Sequence, residues 1–129
     1  MSETVYDTRF FMEHYYSANE ETIRKTKEEI RKTKGRYISA IVIHEVYRLT
    51  LEREGREVAK FRKELLEKDF KVVDVNPEIA AASAEIRHKY NVPLADSVIA
   101  ATSIALNAKC FTDDIHLQAI TEIKTMWIS

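Results

Sequence analysis

PLADSVIAATSIALNAKCFTDD, residues 93–114, decides the fold. From Pro93 to Asn107 it is apolar around most of a helical circumference, which predicts the most buried helix of the chain. The β-favouring triplet Lys109-Cys110-Phe111 follows and stops at Thr112-Asp113-Asp114, a short strand closed by polar residues. The same alternation extends toward the N-terminus. Thr4-Val5-Tyr6 is a brief apolar run ended by Asp7, and residues 8–16 place apolar and aromatic side chains at 11, 12, 15 and 16, at helical spacing. Asn19 is a plausible N-cap for a charged helix over 20–34, anchored by Ile23 and Ile30 and closed by Gly35. Arg36-Tyr37-Ile38 is the next strand, and Ser39 caps a helix carrying Ile41, Val42, Glu45, Val46 and Leu49. Gly55 interrupts that stripe, which resumes over 56–68. A third strand over 71–75, a helix from Pro77 to Lys89, a short helix from Leu117 to Ile120 and a fifth strand within 123–128 complete the order. Short apolar strands alternating with helices need parallel crossovers. The expected fold is a three-layer α/β/α sandwich with a short central parallel sheet, one domain over residues 1–129.

Composition narrows the function. With 20 basic and 21 acidic residues and a net charge of −1, the chain lacks the basic excess of a nucleic-acid coat. Two glycines and two prolines disfavour a turn-rich all-β fold. The single cysteine, Cys110, excludes an internal disulfide and a Cys-based zinc cluster, and inside an apolar strand it reads as core. No apolar run is long enough to span a bilayer. Met1 to Tyr6 has neither a basic segment nor an apolar signal core, so a cytoplasmic protein is expected. No glycine-rich phosphate loop and no nucleophile elbow occurs. His14, His44, His88 and His116 show no metal-binding spacing, and a surface or packing role is expected of His116. The charge runs 24–34 and 52–64 read as solvated faces, and Phe11, Tyr15 and Tyr16 as core or interface.

The informative residues are acids where apolar residues would cost less. Asp7 and Asp114 each follow a strand, and ligands of open parallel sheets bind outside the carboxyl ends of strands. If those two strands are neighbours, both carboxylates face one crevice. Asp96 lies in the first turn of the most apolar helix, and Glu45 sits on the apolar side of its own. Each has a plainer alternative: helix capping for Asp7 and Asp114, the helix dipole for Asp96, a buried arginine partner for Glu45. Together they suggest more. Two like charges about 4 Å apart repel by about 4 kcal/mol at an effective dielectric near 20. A marginally stable domain keeps such a cluster only with a counter-charge. Oxygen donors suit Mg²⁺ or Mn²⁺, and carboxylate-bound ions of this kind hydrolyse phosphodiesters.

Asp7-Thr8 after a strand, Ser39-Ala40 leading to Glu45, the stretch 94–101 around Asp96 and Thr112-Asp113-Asp114 occur in that order. This set resembles the PIN-domain family of metal-dependent ribonucleases, and in size the chain is similar to the VapC-type toxins. The resemblance covers nearly the whole chain; the Asp96 segment and the Thr-x-Asp ending at Asp114 are its most specific parts. It implies an α/β/α sandwich whose acidic pocket holds Mg²⁺ or Mn²⁺ and cuts RNA, with Asp7, Glu45, Asp96 and Asp114 in the catalytic and metal-binding roles. Asp7, Asp96 and Asp114 are the direct ligands expected, with Glu45 binding a second ion or orienting water. Thr8, Ser97 and Thr112 are candidates for hydroxyls that orient carboxylates. Asp113 ranks below Asp114. Arg9 stands where such proteins commonly carry a small or apolar residue, and either lines the pocket or points outward. The implied partners are RNA, a cognate antitoxin that masks the pocket, and a second copy in a homodimer. A nuclease of RNA processing without a toxin role and a non-catalytic interaction module are the alternatives.

Overall fold

The computed structural model describes residues 3–129; Met1 and Ser2, part of the domain expected over 1–129, lie outside the described residues. Five parallel strands form one sheet: β1 (Glu3–Tyr6), β2 (Gly35–Ser39), β3 (Lys71–Val73), β4 (Lys109–Phe111) and β5 (Thr125–Met126). Their spatial order is β3-β2-β1-β4-β5. The connecting helices are α1 (Thr8–Tyr16), α2 (Glu20–Lys32), α3 (Ala40–Glu54), α4 (Arg56–Asp69), α5 (Pro77–Tyr90), α6 (Leu94–Leu106) and α7 (Ile115–Gln118). The expected α/β/α sandwich is therefore the fold. Val5 and Tyr6 point to opposite faces of the sheet, yet neither has exposed surface, which requires helices on both sides. Among the described residues no helix is long and apolar enough to cross a membrane.

Local chemistry sets the element ends. Asn19 accepts from the N–H groups of Glu21 and Thr22, Ser39 from Ile41, and Asn76 from Ile79 ahead of Pro77. Asn91 and Asn107 end α5 and α6 in the left-handed region. Gly55, at φ +91°, makes the break between α3 and α4. Gly35 does not close α2 as expected; it opens β2 opposite Glu3. The helix stops at Lys32 because Arg36 reaches back and donates to the carbonyls of Ile30 and Thr33, satisfying its C-terminal acceptors. Strand β3 ends at Val73, two residues early, where the chain turns with the Asn76 N–H on the Asp74 carbonyl. The fifth strand shrinks to Thr125–Met126 because it pairs at the sheet edge with only the end of short β4. Helix α7 begins two residues early, capped by Asp114.

The core is aromatic around Tyr6, whose ring lies 4.9 Å from Phe10 and 5.4 Å from both Phe70 and Phe111. Phe11 is buried in the same cluster, as expected, and Cys110 is fully buried, where desolvation pushes its thiol pKa up. The charge runs are not wholly solvated. Arg24 and Arg31 pair with acids one turn earlier on exposed α2, but Glu29 of the same helix is buried and accepts from the Tyr6 and Thr33 hydroxyls, each at 2.8 Å. Arg62 is drawn inward to Glu54 and the Tyr16 hydroxyl, both at 2.6 Å, with its guanidinium 4.1 Å from the Tyr15 ring centroid. Tyr6→Phe removes one donor from the buried Glu29 carboxylate but keeps the aromatic packing. It should cost about 1–2 kcal/mol, read as a lower urea midpoint with unchanged slope.

Candidate functional site

Strands β1 and β4 are neighbours, with Tyr6 opposite Phe111. The chain reverses its winding between them: β2 and β3 lie on one side of β1, β4 and β5 on the other. The crevice at their carboxyl ends is the topological switch point, where such sheets bind ligands. Asp7 leaves β1 into it, buried to 3% exposure. It holds the N-cap position of α1, but its carboxylate makes no capping bond. Instead Asp7 Oδ2 accepts from the Thr112 hydroxyl at 2.6 Å. Thr112 Oγ1 in turn accepts from the Asp114 N–H at 2.9 Å, so one hydroxyl sets both acidic segments. Asp114 does cap a helix: its Oδ1 accepts from the His116 N–H at 2.7 Å. The plainer alternative thus fails for Asp7 and holds in part for Asp114.

Two helices complete the arrangement. Asp96 enters from the first turn of α6, 9% exposed, and Glu45 from α3, where its Oε1 accepts from the Thr8 hydroxyl at 2.5 Å. Thr8 and Thr112 therefore orient carboxylates, but Ser97 does not. Its hydroxyl donates to the Leu94 carbonyl and meets Ser83 across the α5–α6 contact, because Ser97 faces the neighbouring helix rather than the crevice. Among the described residues no Lys or Arg forms an ion pair with Asp7, Glu45, Asp96 or Asp114; His116 alone approaches, 3.2 Å from Asp114 and 3.5 Å from Asp96. Among the described residues Glu45 has no arginine partner. Burial pushes the Asp7 pKa up to about 7, with the charges of Asp96 and Asp114 adding to it and the Thr112 hydroxyl opposing. Asp96 is pushed up to about 6, first by burial, then by Asp114, with His116 opposing and Glu45 adding. These couplings tie the four acids electrostatically although they come from four separate parts of the chain.

Arg9 turns to the surface. Its guanidinium forks onto both carboxylate oxygens of Asp113, with Nη2 to Oδ2 at 3.1 Å, and it remains about half exposed. Asp113 is thereby neutralised and stands apart from the uncompensated acids. His116 is the residue that sequence reasoning assigned elsewhere. Asp96, Asp114 and His116 each bring a ligand atom within 4.8 Å of the others. The only available signal was its position two residues after Asp114, on a turn whose direction that aspartate sets. A surface groove of about 880 Å³ runs along α5 past Ala81 and Ile104, and none of these four acids lines it.

The donor set is carboxylate oxygen with one imidazole nitrogen, short of positive charge, with two acids held toward neutrality by burial and repulsion. That chemistry fits a hard divalent cation. The model of the PIN domain family matches residues 4–123 of the chain. Its fold is similar to that in the crystal structure of VapBC2 from Rickettsia felis bound to a DNA fragment from its promoter, with 15% identity, 98% of each chain covered and a TM-score of 0.77. It is similar also to VapBC-1 from nontypeable Haemophilus influenzae, with 17% identity, 95% of this chain and 96% of that one covered, and a TM-score of 0.77. A toxin–antitoxin complex from Klebsiella pneumoniae aligns at 20% identity over 94% and 95% of the two chains, with a TM-score of 0.73. No curated protein matches the sequence.

Proposed function

Because the chain belongs to the PIN domain family, we propose that it is a Mg²⁺- or Mn²⁺-dependent endoribonuclease, the toxin of a VapBC-type toxin–antitoxin pair. The observation that supports this reading is the electrostatic coupling among Asp7, Glu45, Asp96 and Asp114, none of which forms an ion pair with a lysine or arginine among the described residues. Asp7, Asp96 and Asp114 hold the cation. Such an ion, when bound, polarises a phosphodiester and acidifies water. The protein's own groups do the rest. Thr112 holds Oδ2 of Asp7 and so orients the carboxylate toward the ion. Thr8 likewise occupies Glu45 Oε1, so that Oε2 is left to orient the attacking water and accept its proton. Arg9, already oriented by Asp113, binds a backbone phosphate of the RNA at the rim.

The reading also carries a cognate antitoxin as partner, assembly as a homodimer and action in the cytoplasm. The VapBC neighbours, named for toxin–antitoxin pairs, support the first of these. The deciding experiment is a cleavage assay on a panel of tRNAs and structured RNAs, with Mg²⁺, with Mn²⁺ and with EDTA. Cation-dependent cuts at defined positions are expected. No cleavage with either ion, together with no thermal shift on adding them, would leave a non-catalytic interaction module. Within the active reading, Arg9→Ala should raise KM for RNA about tenfold and leave kcat within about threefold, because a rim phosphate contact contributes mostly to ground-state binding. Arg9→Lys should recover part of the loss, and steady-state kinetics on one cleaved RNA checks both.

A further inference from the structure

We propose that His116 is a nitrogen donor to the cation held by Asp96 and Asp114, so that the site takes a first-row transition ion such as Mn²⁺ in preference to Mg²⁺. The inference rests on the reading that these acids hold a divalent cation, and adds which one. Asp114 Oδ1 accepts from the His116 N–H at 2.7 Å, and this cap fixes the first turn of α7. That turn brings the ring back over the carboxylates, with Nδ1 3.2 Å from Asp114 Oδ1 and 3.5 Å from Asp96 Oδ2. Adjacent donors on one six-coordinate ion of about 2.1 Å bond length are about 3 Å apart, close to the spacing of the imidazole from each carboxylate, and all three groups bring ligand atoms within 4.8 Å of one another. Among the described residues the ring has no other side-chain partner, and it is half exposed, open to the crevice from the solvent side. Mg²⁺ favours oxygen and water, whereas affinity for an imidazole-containing site rises along the first-row transition series. A single imidazole among carboxylates therefore separates ions that an all-carboxylate pocket would hold more evenly.

The test is binding, not turnover. Mn²⁺ is titrated into the metal-free full chain and followed by electron paramagnetic resonance, with Mg²⁺ as competitor; pulsed spectra of the bound Mn²⁺ report directly coordinated nitrogen. The wild-type chain should bind Mn²⁺ at least about tenfold more tightly than Mg²⁺ and show a nitrogen coupling. His116→Ala should weaken Mn²⁺ by about tenfold or more, change Mg²⁺ by less than about threefold, and abolish the coupling. His116→Asn, which keeps a polar side chain without the imidazole, should behave like the alanine variant; circular dichroism checks that both fold. Tight Mn²⁺ binding without a nitrogen coupling, or equal weakening of both ions in His116→Ala, overturns the inference and leaves the ribonuclease reading standing. Failure of the wild-type chain to bind either ion overturns both.

Discussion

At pH 7 and without divalent cations, Asp7→Asn should melt about 5–10 °C above the wild-type chain, and Mg²⁺ or Mn²⁺ should then stabilise the wild type much more than the variant. The Asp7 carboxyl is buried, faces the charges of Asp96 and Asp114, and is pushed up to about 7 from an unfolded value near 3.8. An acid whose folded pKa is raised keeps its proton longer in the folded chain. Between about pH 4 and pH 7 the folded state binds more protons than the unfolded one, so stability falls as pH rises through that window. A shift of this size corresponds to about 4 kcal/mol at most once pH reaches 7. The asparagine cannot ionise, and its carbonyl can still accept from Thr112. Its buried amide needs a partner, which returns part of the gain, so about 2 kcal/mol net is expected. For a domain of this size that is several degrees. The variant should also lose most of the decline in stability between pH 5 and pH 7, with Asp96 supplying what remains. A bound cation supplies the missing charge in the wild type, and a concentration of 100 times Kd adds about 2.7 kcal/mol. Scanning calorimetry at pH 5, 6 and 7, with and without cation, measures all of this. An Asp7→Asn variant that melts below the wild type at pH 7, with no cation effect on either, would mean that the carboxylate is stabilising as it stands.

What could be read ahead of the structure follows how local each determinant is. The alternation of brief strands with helices is written in consecutive residues, so the sandwich was legible, and Asn19, Ser39 and Pro77 marked their helix starts. Asp7, Asp96 and Asp114 stand out as candidates because each breaks a local rule: an acid directly after a buried strand, or within an apolar helix. What could not be read depends on residues far apart or on the rotation of a short element. Arg9 could line the crevice or leave it until its partner was known, and that partner, Asp113, is 104 positions away. Glu29 looks like one charge among many on α2; the hydroxyl of Tyr6, from a strand 23 positions away, joins that of Thr33 in making its burial tolerable. Ser97 seemed placed for the crevice, but the packing of α5 against α6 takes its hydroxyl. His116 lies on a single turn, and the direction of its ring is set by the Asp114 cap rather than by hydrophobic periodicity. The lengths of β3 and β5 depend on how far a neighbouring strand continues, which no window of sequence contains.

Asp96→Asn should reduce cation-dependent RNA cleavage by about a thousandfold or more, a barrier increase of about 4 kcal/mol, while the chain stays folded. Asp96 interacts with both Asp114 and Glu45, so its charge is the one that joins the β4 end of the cluster to the α3 side. The amide is nearly isosteric and removes that charge without opening a cavity, which makes the loss one of electrostatics rather than packing. Since burial and repulsion disfavour the ionised form of Asp96, the metal-free variant should melt at or above the wild-type temperature. Loss of activity with stability retained separates a functional carboxylate from a structural one. Asp114→Asn sharpens the point. Asparagine caps a helix as well as aspartate does, so the bond from the His116 N–H survives while the charge is lost. If Asp114 serves only as a cap, cleavage in that variant should be unchanged; as part of the cation site, it should fall by about a hundredfold or more. Asp113→Asn is the internal control, since that acid is already neutralised by Arg9 at the surface. Its effect should stay within about tenfold and follow that of Arg9→Ala. Initial cleavage rates on one RNA, measured beside melting curves for all three variants, decide the matter. Equal losses in all three would mean that total negative charge, rather than the placement of Asp96 and Asp114, is what the reaction needs.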